Sequence, residues 1–409
     1  MGRFAANRYM LAIRNGMISA MPFIIIGSFF LILIAPPLPE GNAIRVWLAQ
    51  YSAQLNIPFR LTMSIMTLYV AFGIGSNLAK SYKLDALAGG QMALLALLMT
   101  NPPAFVDGMG WTIPIGNLGG AGMFVTLIVS CLAVEVLRFC VRYRITIRMP
   151  ASVPDAISRA FATLFPAAIL VLIMWTVTAI LGVDLHAVMG RLFAPLVLAG
   201  DTLWGVLIIV FLVHLVWSFG IHGAIIVSVT RPFWFMYAEA NAAALAAGEP
   251  LPYMAPETFY TWFVWFGGSG ATLGLLLAVF LVGRSKYLKS MSKLAILPGL
   301  FNINEPVIFG MPIVLNPILI VPFILAPMAM AVVAWVATAA GIVGRTAAIA
   351  PWTLPAPLGA FISANGDWMA VVLVFVNLAV ATLIYLPFIK IYDRRLLKQE
   401  QEGDEPVAV

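Results

Sequence analysis

The chain has 409 residues, of which 62% are hydrophobic and only 10% charged, with a formal net charge of +6. A soluble domain carries roughly 45–50% apolar and about 25% charged residues, so a water-facing globule is excluded and a bilayer must solvate this surface. The mean hydropathy of +1.00 agrees.

In chain order, ten apolar segments read as spans: about 18–35, 60–79, 86–100, 119–141, 156–182, 203–219, 223–240, 258–282, 316–341 and 368–389. Several are shorter than the roughly 20 residues of a straight span. The start has arginines before an apolar run but no small-residue cleavage site, so no signal peptide is expected. The stretches 299–314 and 346–366 are too interrupted to cross and read as re-entrant hairpins. Broken backbone at membrane depth survives where protein or a water-filled cavity takes its hydrogen bonds. The expected fold class is an all-α integral membrane protein with about ten transmembrane helices plus two re-entrant hairpins. The polar stretches are loops at about 142–155 and 283–298 and the tail from Asp393, whose charged run Lys398–Glu405 is expected to fray.

Basic residues give the orientation. With the N-terminus in the cytoplasm, 18 of the 23 Lys and Arg residues fall on the cytoplasmic side, including Arg3, Arg148 and the cluster Arg284, Lys286, Lys289 and Lys293. Arg45, Arg60, Arg191 and Arg345 fall outside, and Arg231 lies within a span. This asymmetry sets both termini in the cytoplasm. It depends on a turn at Phe219–His222 between the sixth and seventh spans; one broken helix there would reverse the later loops.

Cys131 and Cys140 lie nine residues apart on one expected helix, on nearly opposite faces, and cannot bridge. No Cys/His cluster has metal-ligand spacing, and no Gly-rich lysine loop for ATP is present. No metal, cofactor or nucleic acid is expected. The glycine-rich pieces Gly116–Gly122 and Gly267–Gly270 read as close helix packing. His214 reads as a packing residue within a span, and His186 as part of an outer loop. Arg231, mid-span beside Pro232, either snorkels or pairs with a carboxylate such as Glu239. Glu135 and Arg138, three apart, read as a local surface pair.

The most informative stretch is Pro298-Gly299-Leu300-Phe301-Asn302-Ile303-Asn304-Glu305-Pro306, followed by Ile308-Phe309-Gly310-Met311-Pro312. It sets a carboxylate in very apolar sequence, and a charge at membrane depth faces a cavity or a partner rather than lipid. Glu305 therefore reads either as a cap on broken backbone or as part of a polar site inside the bilayer.

Four segments together resemble the membrane (C) component of bacterial sugar phosphotransferase-system (PTS) permeases, EIIC, of the lactose/cellobiose (chitobiose-type) family. They are Leu11-Ala12-Ile13-Arg14-Asn15-Gly16 running into Met21–Ser28; Phe219-Gly220-Ile221-His222-Gly223; Leu297–Gly310; and Pro351-Trp352-Thr353-Leu354-Pro355-Ala356-Pro357. Residues Ser363–Asp367 match the pattern loosely. The resemblance implies a homodimeric permease in the bacterial cytoplasmic membrane, with no cofactor. It implies a scaffold and dimerisation half at 1–183, a substrate-binding half at 184–392 and a cytoplasmic tail at 393–409. Such a permease imports a disaccharide and presents its C6 hydroxyl to a separate phosphorylated B component, so the phosphorylated cysteine lies on another chain.

The resemblance places His222 and Glu305 at the sugar, as catalytic and substrate-binding residues. For His222 the alternative is a packing histidine. Asn302 and Asn304 offer amides to sugar hydroxyls or form the turn. Trp352 stacks on a pyranose ring or anchors at the interface, and Trp217 is a weaker stacking candidate. Two rival readings are an ion-coupled secondary sugar transporter acting without phosphorylation and a non-transporting sensor that keeps the fold.

Overall fold

Backbone amides at membrane depth have no water to bond, and a helix satisfies them within one segment. The chain follows this rule. It is a computed structural model that describes residues 7–36, 38, 41–147, 149–150, 153–311 and 313–402. Arg3, Arg148, Pro312 and Gly403-Asp404-Glu405 lie outside the described residues. Each of the ten expected spans overlaps helix, although the one at 258–282 is interrupted. Among the described residues six helical segments are long and apolar enough to cross a bilayer: 8–34, 52–81, 120–142, 157–180, 317–339 and 368–402. A further pair, 185–200 and 203–218, passes together but is bent by 81°.

The chain divides into two compact units. The first comprises described residues 7–27 and 56–197. It holds the start of α1 (Arg8–Ile34), most of α3 (Ser52–Thr62), α4 (Met66–Ser81), α5 (Ala86–Met99), α6 (Met123–Arg142), α7 (Asp155–Trp175) and most of α8 (Leu185–Gly200). A short antiparallel ribbon, β1 (Ala104–Val106) with β2 (Gly110–Thr112), joins α5 to α6 and was not expected. Buried Ala71, Ala93, Ala96 and Ala133 keep the facing surfaces of α4, α5 and α6 small. The expected Glu135–Arg138 pair forms at 3.0 Å, and the Tyr9 hydroxyl donates to Glu135 at 2.8 Å. The expected outer loop around His186 is helical instead: His186 sits on α8 with Nε2 3.0 Å from the Thr100 hydroxyl.

The second unit comprises described residues 28–55 and 198–402. After α2 (Ala43–Ala49) it holds α9 (Leu203–Ser218), α10 (Ala224–Ala247), α11 (Glu257–Phe263), α12 (Thr272–Val282), α13 (Lys286–Leu300), α14 (Glu305–Gly310), α15 (Pro317–Ala339), α16 (Ala356–Ser363) and α17 (Trp368–Glu402). Helices α12, α15 and α16 pack on α17. Buried Asn377 of α17 donates to the carbonyls of Phe263, at 2.8 Å, and Met330, at 3.2 Å.

Several expectations are corrected here. The span expected at 258–282 is broken into α11 and α12 by an irregular segment. The polar loop at 283–298 is mostly helix α13. The Asp393 carboxylate accepts from the Arg284 and Ser285 amides at 2.9 and 2.8 Å, and Glu400 from the Tyr287 amide at 3.1 Å. Two carboxylates thus satisfy donors that a helix start leaves unpaired. The tail from Asp393 is the end of α17 as far as Glu402, so the described part of the run expected to fray, 398–402, is helical. Arg231 pairs with Glu257 at 3.0 Å rather than with Glu239, because Glu257 opens α11 beside it.

Candidate functional site

The candidate residues all belong to the second unit. Helix α9 ends at Ser218, and Gly220 turns the chain with φ +74° before α10 begins at Ala224. A β-carbon added at Gly220 would press on Val314 at 3.3 Å. Beside this contact the Leu315 amide donates to the Ser218 carbonyl at 3.0 Å. The turn carrying His222 is therefore hydrogen-bonded to the far end of the Glu305 hairpin. Trp217, buried on the last turn of α9, lies with its ring 4.3 Å from the His222 ring. The Ala224 amide donates to His222 Nδ1 at 3.0 Å. With Nδ1 accepting, the neutral ring carries its proton on Nε2.

The Glu305 hairpin is built from the end of α13, a bend and α14. Asn302 makes the bend with φ +62°, a left-handed conformation that asparagine tolerates. Its side chain has three backbone partners. Nδ2 donates to the carbonyls of Trp352, at 2.6 Å, and Leu354, at 3.0 Å, and Oδ1 accepts from the Gly267 amide at 2.8 Å. Asn304 Nδ2 donates to the Ser269 carbonyl at 2.8 Å. Both amides are thus engaged in holding backbone, the turn-forming role left open in the sequence. Glu305 begins α14, is exposed, and its carboxylate makes no hydrogen bond or ion pair among the described residues. Trp352 stands 49% exposed on the second hairpin, with its carbonyl fixed by Asn302.

Sequence reasoning missed the element beneath the hairpin. Gly267–Gly270 is not a helix-packing stripe. It is a loop in which Gly267, Gly268, Gly270 and Ala271 all have positive φ. Three further side chains hold it: Thr272 donates to the Gly267 carbonyl, the Gly270 amide donates to His214 Nε2 at 2.8 Å, and the Tyr385 hydroxyl donates to the Gly270 carbonyl at 2.6 Å. The signal available was a cluster of three glycines and a serine inside an apolar run, which helix packing explains poorly.

Comparisons with known proteins bear on this arrangement. A family model described as "Phosphotransferase system, EIIC" matches residues 14–327. The chain is 38% identical to the lichenan permease IIC component of Bacillus subtilis, over 98% of this chain and 93% of that one. It is also 38% identical to the PTS system cellobiose-specific EIIC component of Geobacillus stearothermophilus, over 98% of this chain and 93% of that one. Among solved structures it is similar to the transporter ChbC, the IIC component from the N,N'-diacetylchitobiose-specific phosphotransferase system. That match has a TM-score of 0.92 and 38% identity, and covers 99% of this chain and 98% of that chain.

Proposed function

Because this chain belongs to the EIIC family of the phosphotransferase system, a family of bacterial membrane proteins, we propose that it carries a β-linked disaccharide through the cytoplasmic membrane. It then holds the sugar while a separate B component phosphorylates C6. Relatives named for cellobiose, lichenan, oligo-β-mannoside and diacetylchitobiose support a β-linked, glucose-like substrate. One observation carries the reading: the hairpin with Glu305 is bonded to the Trp352 segment and to the end of the helix before His222, while the Glu305 carboxylate has no hydrogen bond or ion pair among the described residues.

In this reading Glu305 accepts hydrogen bonds from sugar hydroxyls, with the C6 hydroxyl among them. The C6 oxygen attacks the phosphorus of the phosphocysteine, the new O–P bond replaces the S–P bond, and the hydroxyl proton passes to the carboxylate. His222 donates from Nε2 to a sugar oxygen. Trp352 lays its half-exposed ring on a pyranose face, and Trp217 buttresses His222. Asn302 and Asn304 hold the frame. The chain works as a homodimer, and α7 offers exposed Leu164, Phe165 and Leu172 to lipid or to a second copy. Both termini and α13 face the cytoplasm, where exposed Lys286, Lys289 and Lys293 attract the acidic phosphorylated partner.

The test is calorimetry with cellobiose, diacetylchitobiose and lactose, together with phosphosugar formation when the B component is supplied. A hydrogen bond to a charged group contributes roughly 1.5–3 kcal/mol, so Glu305→Gln should weaken binding by roughly ten- to a hundredfold. His222→Ala should also cut binding and transfer severely, and both variants should still fold. Wild-type values for both would remove them from the site. Accumulation of unmodified sugar by this chain alone would favour the ion-coupled reading.

A further inference from the structure

His214 is fully buried in the middle of α9, eight residues before His222. A polar ring at membrane depth is costly unless each polar atom is satisfied. Both ring nitrogens are engaged, and in opposite senses. Nε2 accepts the Gly270 amide at 2.8 Å, so Nδ1 carries the proton and donates to the Val210 carbonyl at 2.6 Å. This pattern fits the neutral ring in one tautomer. The other side of Gly270 is held as well, by the Tyr385 hydroxyl on its carbonyl. Phe323, edge-on to His214 with ring centroids 5.2 Å apart, fills the space where a β-carbon at Gly270 would stand. Gly270 is therefore held at its amide, at its carbonyl and against the Phe323 ring.

From that fixed point two short chains of contacts lead to the candidate site. The loop passes the constraint to Asn302 through the Gly267 amide and to Asn304 through the Ser269 carbonyl, and Glu305 follows directly. Along α9 the same histidine leads in one turn to Trp217 and Ser218, and the Gly220 turn then brings His222. His214 joins the helix that precedes the His222 turn to the loop that supports Glu305.

We propose that His214 is a positioning residue for sugar phosphorylation, setting the relation between His222 and Glu305 through its hydrogen bond to Gly270. The proposal rests on the reading of those two residues as the sugar site. It gives a function to a histidine that the sequence alone marks as packing.

The experiment uses the purified full-length protein and two substitutions of similar size. His214→Leu removes the acceptor, while His214→Gln places its amide oxygen where Nε2 lies. Hydrogen exchange over Gly267–Thr272 is measured without sugar, then cellobiose affinity and phosphosugar formation with the B component. The leucine variant should exchange about tenfold faster in the loop and bind cellobiose about tenfold more weakly, and glutamine should recover most of both. Adding His214→Leu to Glu305→Gln should cost little further affinity, because the histidine acts through the hairpin. Unchanged exchange and affinity in the leucine variant, or losses that simply add to those of Glu305→Gln, would overturn the proposal. Should the leucine variant fail to fold, His214→Phe, which fills the space but offers no acceptor to the Gly270 amide, is read in the same assays; wild-type exchange and affinity there would overturn the proposal equally. Failure of wild-type protein to bind any disaccharide would refute the sugar reading alone. The exchange arm would still decide whether His214 clamps the loop.

Discussion

Asn302 links three segments at once, and substitutions there separate the backbone contribution from the side-chain contribution. Its side chain makes one bond to the Gly267 amide and two to the carbonyls of Trp352 and Leu354. At about 0.5–1.5 kcal/mol each, the three are worth roughly 1.5–4.5 kcal/mol. Asn302→Gly loses this amount and keeps the left-handed bend at φ +62°. Asn302→Ala loses the same bonds and adds about 1–2 kcal/mol for placing an ordinary residue in that conformation. Asn302→Asp keeps the acceptor for Gly267 but sets a carboxylate oxygen against two carbonyl oxygens, at the 2.6 and 3.0 Å now spanned by donors. Thermal unfolding and cellobiose calorimetry should therefore rank wild type above glycine, and glycine above both alanine and aspartate. Aspartate equal to or better than glycine in both assays would mean that the Asn302 amide does not point its NH2 at the second hairpin.

Other expectations are as direct. Arg231 and Glu257, with side chains 14% and 17% exposed, form a shielded pair. Arg231→Met alone should destabilise the protein by about 3–5 kcal/mol, and adding Glu257→Leu should restore most of it; a double variant no more stable than the single one would contradict the pairing. Reversing Lys286, Lys289 and Lys293 to glutamate should slow phosphorylation much more than it weakens sugar binding, and raised salt should mimic it in wild type. Normal phosphorylation kinetics in that triple variant would remove α13 from the partner's docking surface. A cysteine at position 289 in a cysteine-free background should resist an impermeant thiol reagent added to intact cells; efficient labelling there would reverse the orientation.

The apolar spans were legible because each carries its own signal within one stretch of sequence. The two hairpins were legible for the same reason, since prolines and asparagines inside apolar runs interrupt a helix locally. Other features depend on residues far apart in the chain. Helix α13 sits where polar composition reads as a loop, and its first turn is held by Asp393 and Glu400 of α17. The break at Gly267–Gly270 was hidden because hydropathy stays high across it, and its partners Asn302 and Tyr385 lie 35 and 115 residues away. Glu305 stood out because an isolated carboxylate needs an explanation. His214 did not, because a buried histidine with both nitrogens satisfied looks the same in sequence as one that merely packs. Of the two readings open for Arg231, snorkelling or pairing, the fold takes the second, but local spacing pointed to Glu239 while the fold brings Glu257.

The Tyr385–Gly270 bond also has a meaning for biogenesis. Its two residues are separated by 115 positions, so a ribosome adding about 5–20 residues per second needs roughly 6–23 s to make the second after the first. During that interval the Gly270 carbonyl lies at membrane depth without its phenol donor, and Asn302 has yet to meet Trp352 and Leu354. Unsatisfied backbone of that kind is what an insertion machinery must shelter. A ribosome stalled between the two residues would leave a chain with most of its helices but with the Gly267–Gly270 loop lacking its Tyr385 support.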